Sequence, residues 1–168
     1  VASRARRRRN EEPAHERYGD GVVARNRRAH FDFELDERLE AGLVLVGSEV
    51  KALRQGHADL GDAWCRIDGR QAFVNALSIP VLPEAAVKHE PKRSRKLLLH
   101  RHEIERLARA LEREGMTAVV TRLYFRGGRA KIEIALARGK KKYDKRETIR
   151  RREADREAAA AIARAHRG

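Results

Sequence analysis

The 168-residue sequence has a single cysteine, Cys65, so an intramolecular disulfide framework and a cysteine-based zinc site are both excluded. Long apolar runs are missing as well. The longest is Ala158–Ala163, mostly alanine, far short of the roughly 20 residues a membrane-spanning helix needs. Arg6–Arg9 imitate the basic start of a secretory signal, yet no apolar segment follows them. Leu, Ile, Val and Phe number only 37, barely enough to fold so charged a chain, but 34 of them lie within residues 22–137. That stretch can bury one small core. The expectation is a soluble, cytoplasmic chain with one domain at 22–137, a disordered basic arm at 1–21 and a basic tail at 138–168. Val1 is an unusual first residue and leaves the true start open.

What is abundant is positive charge. The formal net charge is +14, carried by 30 Arg and 9 Lys against 25 acidic side chains. Its distribution is uneven. Residues 26–87 are net acidic, with 7 bases and 10 acids, whereas residues 88–109 carry 8 bases against 3 acids. The last segment, 138–168, holds 12 bases and 5 acids, half of the net excess. Patches on a domain followed by a basic tail suit a polyanion, and arginine bonds phosphate as a planar fork. A GC-rich genome explains arginine in place of lysine but not the clustering. Nucleic acid is the leading partner; an acidic membrane is weaker, because no stripe of large apolar residues accompanies the charge.

The periodicity predicts mainly β structure. Phe31, Phe33 and Leu35 alternate with acids as in a half-buried strand, Asp36–Gly42 reads as one or two helical turns, and Leu43–Leu53 reads as β with a bend at Gly47. Asp68-Gly69 marks a hairpin between Trp64–Ile67 and Gln71–Leu77. Val81–Arg95 is a long basic loop. Ile104, Leu107, Ala108 and Leu111 follow a helical spacing that Gly115 ends, and Val119–Phe125 and Arg129–Ala137 form a last strand pair across Gly127-Gly128. About six short antiparallel strands with one late inserted helix suit a small closed barrel of the OB type.

Catalytic signatures fail one by one. Gly19-Asp20-Gly21 opens a nominal dinucleotide fingerprint, but a charged arm precedes it where a buried strand is required. Gly139-Lys140 lacks the leading glycine of a phosphate loop, and Gly47-Ser48-Glu49 lacks the second glycine of a nucleophile elbow. His100 and His102, two apart, would point to different faces of a helix and make a poor metal pair. Asp59 and Asp62 fit a turn around Gly61, and Cys65 fits a core position. No nucleophile meets a base, so the reading is not an enzyme, with no cofactor and no metal.

Three basic strings stand out: Asn26–His30, Pro91–His100 and Gly139–Glu147. In the second, Leu97–Leu99 after the bases reads as a strand or helix lead-in that fixes them on a rigid edge. In the third, Tyr143 can stack on an exposed nucleotide. With Leu39–Leu43 (LEAGL), GSEVKALR from Gly47 and RKLLLH from Arg95, these strings are similar to the SsrA-binding protein (small protein B) family, over about residues 22–167. GKKKYDKRE, from Gly139, is nearly diagnostic of it.

The resemblance implies an OB-type barrel that binds transfer-messenger RNA and delivers it to stalled ribosomes for trans-translation. It places Asn26, Glu40 and Leu98 on the RNA surface, with Lys51 and Lys96 as further candidates beside the basic pair Arg27 and Arg28. Lys140, Lys141, Lys142, Tyr143, Asp144, Lys145 and Arg146 correspond to the segment that meets the small-subunit decoding centre. The family tail is loose in free protein and becomes a helix along the empty messenger channel. Composition bears on this separately: Glu147–Arg167 is rich in helix formers but offers only Ile149 and Ile162 to bury, so its helix is marginal in water. A helix docked permanently on the barrel is the alternative. Where the family tail would carry an apolar pair, this chain has Ala161-Ile162, and Arg6–Arg9 extend the arm beyond the pattern. A chain that is monomeric when free is expected. Two other classes, a general RNA chaperone or ribosomal protein and an RNA-processing enzyme, differ in binding many RNAs alike or in needing a metal or acid–base pair.

Overall fold

The structure is a computed structural model describing residues 21–140 and 142–166, with only the backbone for 142–144. Seven antiparallel strands form one sheet: β1 (Gly21–Arg25), β2 (Phe33–Leu43), β3 (Trp64–Asp68), β4 (Gln71–Asn75), β5 (Arg95–Leu98), β6 (Met116–Arg126) and β7 (Arg129–Gly139). The helices are α1 (Ala29–Asp32), α2 (Gly47–Arg54), α3 (Arg101–Leu111) and α4 (Lys142–Ala165). Hydrogen-bonded neighbours run β6–β3–β4–β5–β2–β7 and return to β6, so six strands close into the expected barrel. β6 meets β3 at Val119 and β1 from Arg122 to Phe125, which lets one edge serve both. β1 is the addition, too short and exposed for its residues to signal it.

The barrel is filled by Leu53, Leu60, Leu77, Leu97, Leu107, Leu123, Ile132 and Ile134, each 2% exposed or less. Burying each of these side chains contributes about 1.5–3 kcal/mol. Cys65 joins this core, and burial pushes its thiol pKa far up, which leaves it unreactive. A smaller cluster lies outside the ring, where α1 sets Ala29 on Val119, Ala135 and Ala137, with Phe33 and Leu35 packed beside them. The two alanines let a short helix sit close to β7, which is therefore buried on both faces from Ile134 to Ala137.

Three expectations are corrected. Phe31 belongs to α1, so the strand read from Phe31 begins at Phe33. Asp36–Gly42 is strand, not helical turns: β2 is paired with β7 from Phe33 to Gly42, across a register shift between Leu35 and Arg38. That bulge explains the misleading spacing of four. Leu35 packs outside the barrel, and after the extra residue Leu39, Ala41 and Leu43 face inside. Leu43–Leu53 is not strand beyond its first residue; α2 starts at Gly47, and Glu49 accepts the Val46 backbone N–H at 3.0 Å to close its first turn. The hairpin, α3 and the β6–β7 pair lie where the pattern put them, although β7 continues to Gly139.

Candidate nucleic-acid interface

Cross-strand register builds an outward row across five strands. Leu98 of β5 pairs with Gly42 of β2, Gly42 with Lys131 of β7, Lys131 with Tyr124 of β6, and Tyr124 with Val22 of β1. Leu98 is 57% exposed, an apolar side chain that the core does not use. Gly42 permits this arrangement, because a Cβ there would lie 3.1 Å from Leu98 Cβ and 3.3 Å from its Cδ1. Leu98 lines a groove of about 760 Å³ with Glu40, Lys96, Lys131, and Arg70 and Gln71 of the hairpin. Its other wall is the start of α3, at His100, Glu103 and Ile104. Of the residues expected on the RNA surface, Glu40, Lys96 and Leu98 therefore meet in one groove. Lys51 is exposed on α2 and is not among the groove's lining residues.

Glu40 is the anion of a cationic wall. It accepts hydrogen bonds from the Tyr124 hydroxyl and from Arg126 at 2.8 Å. Partial burial works to raise its pKa, but the Tyr124 and Arg126 bonds outweigh this and hold the carboxyl below its ordinary range. Next to it Glu133 bonds Arg122 at 3.1 Å and Arg38 at 3.3 Å, and the Arg122 guanidinium lies 4.9 Å from the centre of the Tyr124 ring. The two carboxylates thus set the directions of three arginines. Lys131, Arg70 and the Tyr124–Arg126 pair escaped the sequence reading; Tyr124 and Arg126 reach Glu40 across 84 and 86 residues of chain.

Asn26 faces inward from the turn between β1 and α1. Its amide donates to the Leu60 and Val120 carbonyls at 3.1 and 3.0 Å and accepts from the Ala29 N–H at 3.2 Å. With the residue 7% exposed and its side chain bonded three times, Asn26 fixes the turn that leaves Arg27 and Arg28 outside. His100 departs from expectation. It precedes α3 in an extended conformation, so its ring stacks on His102, with centroids 5.6 Å apart. Among the described residues no cluster of three or more His, Cys, Asp or Glu could hold a metal.

The basic loop is less basic outward than its residues suggest. Arg95 has no exposed surface: it donates to Glu49 at 2.8 Å and to the Leu77, Arg93 and Pro91 carbonyls. Arg93 binds both Glu49 oxygens, at 2.7 and 2.8 Å. Glu49, itself 0% exposed, thus turns two arginines inward and leaves Lys88, Lys92 and Lys96 as the outward cations of that segment.

At the tail root, Lys140 donates to the His30 carbonyl at 2.9 Å and to the Thr148 hydroxyl at 3.1 Å. Lys145 lies 3.6 Å from Asp32, and the Arg152 guanidinium lies 5.8 Å from the Phe31 ring centre. α1 is thus the seat of α4. Every side chain from Arg150 to His166 is exposed, Ile162 at 60%, and Ile149 just before them is 42% exposed. Arg146 is exposed too, whereas Lys141, the side chains of Lys142, Tyr143 and Asp144, and the arm with Arg6–Arg9 lie outside the described residues.

A sequence model of the SmpB protein family matches residues 23–164. The SsrA-binding protein of Sorangium cellulosum is 55% identical over 152 residues, covering 90% of this chain and 94% of its own length. That of Deinococcus radiodurans is 56% identical over 125 residues, covering 74% and 87%. Among solved structures, a chain described under "tmRNA-SmpB: a journey to the center of the bacterial ribosome" has a TM-score of 0.63 at 39% identity. The likeness covers 76% of this chain and 94% of that one. A closed barrel, a groove with an exposed leucine among cations, and a sequence matched nearly end to end agree: the chain belongs to the SsrA-binding protein (SmpB) family.

Proposed function

We propose that the protein is an RNA-binding adaptor, without catalysis of its own, acting in the cytoplasm. It binds transfer-messenger RNA and brings it to stalled ribosomes for trans-translation. The observation that carries this reading is the groove, where Lys96, Lys131 and Arg70 surround the exposed Leu98. Cations at the rim hold phosphates, and an apolar surface accepts a sugar or the face of an unstacked base. Structured RNA is suited to such a surface, because shape and backbone are read without entering a helical groove. Arg27 and Arg28 add charge from the turn that Asn26 holds. Lys140–Arg146 then meet the decoding centre, and α4 follows the empty messenger path, with Ile149 and Ile162 as its apolar contacts. No helix among the described residues is long and apolar enough to cross a membrane.

Glu40→Arg tests the groove against simple charge attraction. Adding positive charge should tighten RNA binding if attraction alone matters. The arrangement predicts the reverse, since Arg126 and Tyr124 lose the carboxylate that aims them. Affinity for transfer-messenger RNA should fall tenfold or more, on the scale of one charge-assisted hydrogen bond, about 1.5–3 kcal/mol. Unchanged or tighter binding in a filter or shift assay would contradict this reading.

A further inference from the structure

A second concavity lies beside the groove, further along α3. It is a cleft of about 480 Å³ with Met116 and Leu136 at its base, Asp36 and Glu37 of the β2 bulge on one side, and Arg106, Arg109 and Arg113 on the other. Arg106 and Arg109, at i and i+3, share one face of α3, and Arg113 follows just past its end. Glu37 holds Arg106. The Arg109 and Arg113 side chains are exposed and have no ion pair or hydrogen bond among the described residues. The helix dipole favours a cation at Arg109, in the last turn, but it does not explain a second arginine beyond the end of α3 or the cleft in front of both.

The cleft and the groove are neighbours. Along β2 the lining passes from Glu40 to Glu37, about 10 Å at the usual strand rise. Along α3 it passes from Glu103 to Arg106. The Arg106–Glu37 ion pair bridges helix and strand between the two.

We infer that this cleft is a second phosphate-binding site for the RNA that fills the groove, with Arg109 and Arg113 each taking one backbone phosphate. The inference rests on the groove being the RNA site. Arginine suits the position because its fork bonds two phosphate oxygens at once. The occupant is the backbone of the same structured RNA, since groove and cleft share β2, β7 and α3 as walls and a rigid RNA lying in one passes over the other. Asp36 at the lip repels a phosphate placed on its side, which directs the backbone towards the arginines.

The full chain carrying Arg109→Ala and Arg113→Ala, titrated with transfer-messenger RNA over a range of salt, tests this. Two phosphates lost should make the slope of log K against log salt shallower by about 1.4–1.8 and lower affinity about tenfold at moderate salt. Replacing both by lysine should keep the slope and lose less affinity. Lys96→Ala and ribosomes free of transfer-messenger RNA serve as parallel arms. An unchanged slope and affinity in the double alanine variant, with Lys96→Ala still weakened, would overturn the cleft site and leave the groove standing. No effect from Lys96→Ala either would remove the groove reading too. If the double variant lost only ribosome binding, the phosphates would belong to ribosomal RNA and the inference as stated would be wrong.

Discussion

Glu49 is a carboxylate with no exposed surface, bonded to two arginines and a backbone amide. Burial works to raise its pKa, but Arg93, the Val46 N–H and Arg95 together hold it below the ordinary value of 4.5. A folded carboxylate held low gives its full contribution above that ordinary value and loses it as pH falls through the folded value. Stability should therefore decline on acidification below about pH 4.5. At neutral pH, Glu49→Gln should cost about 3–5 kcal/mol in urea unfolding, because it leaves buried Arg95 without its counter-charge. The deficit should shrink as pH is lowered through the acidic range. A loss under 1 kcal/mol at pH 7 would show that the carbonyl bonds of Arg95 suffice. This site also marks a limit of local pattern. Arg93 and Arg95 stand in a run of bases and read as outward charge, yet the partner that turns them inward lies 44 and 46 residues earlier. Asn26 is similar: its inward amide depends on carbonyls 34 and 94 residues away. Lys96 and Leu98 were legible because alternation with buried Arg95 and Leu97 puts them on the open face.

Among the elements, those fixed by their own residues read correctly. Asp68-Gly69 turns a hairpin, with Gly69 at φ 59°, and the 3.6-residue period of α3 stops before Gly115, at φ 74°. The misread ones are decided by neighbours. β2 looks helical until β7 pairs with it, and α2 looks like strand although Glu49, held by Arg93 and Arg95 from 44 and 46 residues on, closes its first turn. α4 is the opposite case, a helix set by composition and, among the described residues, tied down only near its start, at Lys140, Lys145 and Arg152. A 24-residue helix with so little buried surface depends on its own backbone bonds and on whatever it meets outside. Ala154→Pro, which costs a helix interior about 3 kcal/mol, should leave barrel melting and transfer-messenger RNA affinity unchanged. Peptide tagging on stalled ribosomes should drop sharply. A lowered barrel melting temperature would mean that the distal half of α4 is part of the folded domain.

For the molecule as a whole, the proposed function divides the +14 charge into surfaces with separate duties. Glu49 holds two arginines of the basic loop, one of them fully buried, the β6–β7–β2 wall arranges its cations around Glu40 and Glu133, and the tail carries half of the net excess. In the proposed function the barrel grips one RNA while the tail, seated on α1, is presented to a different surface. Losing one duty without the other is therefore the sharpest consequence. Asp144→Ala combined with Lys145→Ala, measured in parallel for transfer-messenger RNA affinity and for tagging of stalled peptides, tests it directly. Affinity within about twofold of the unaltered protein with tagging abolished is the predicted result. An equal loss of both would show that the tail is part of the primary RNA grip and would contradict the division.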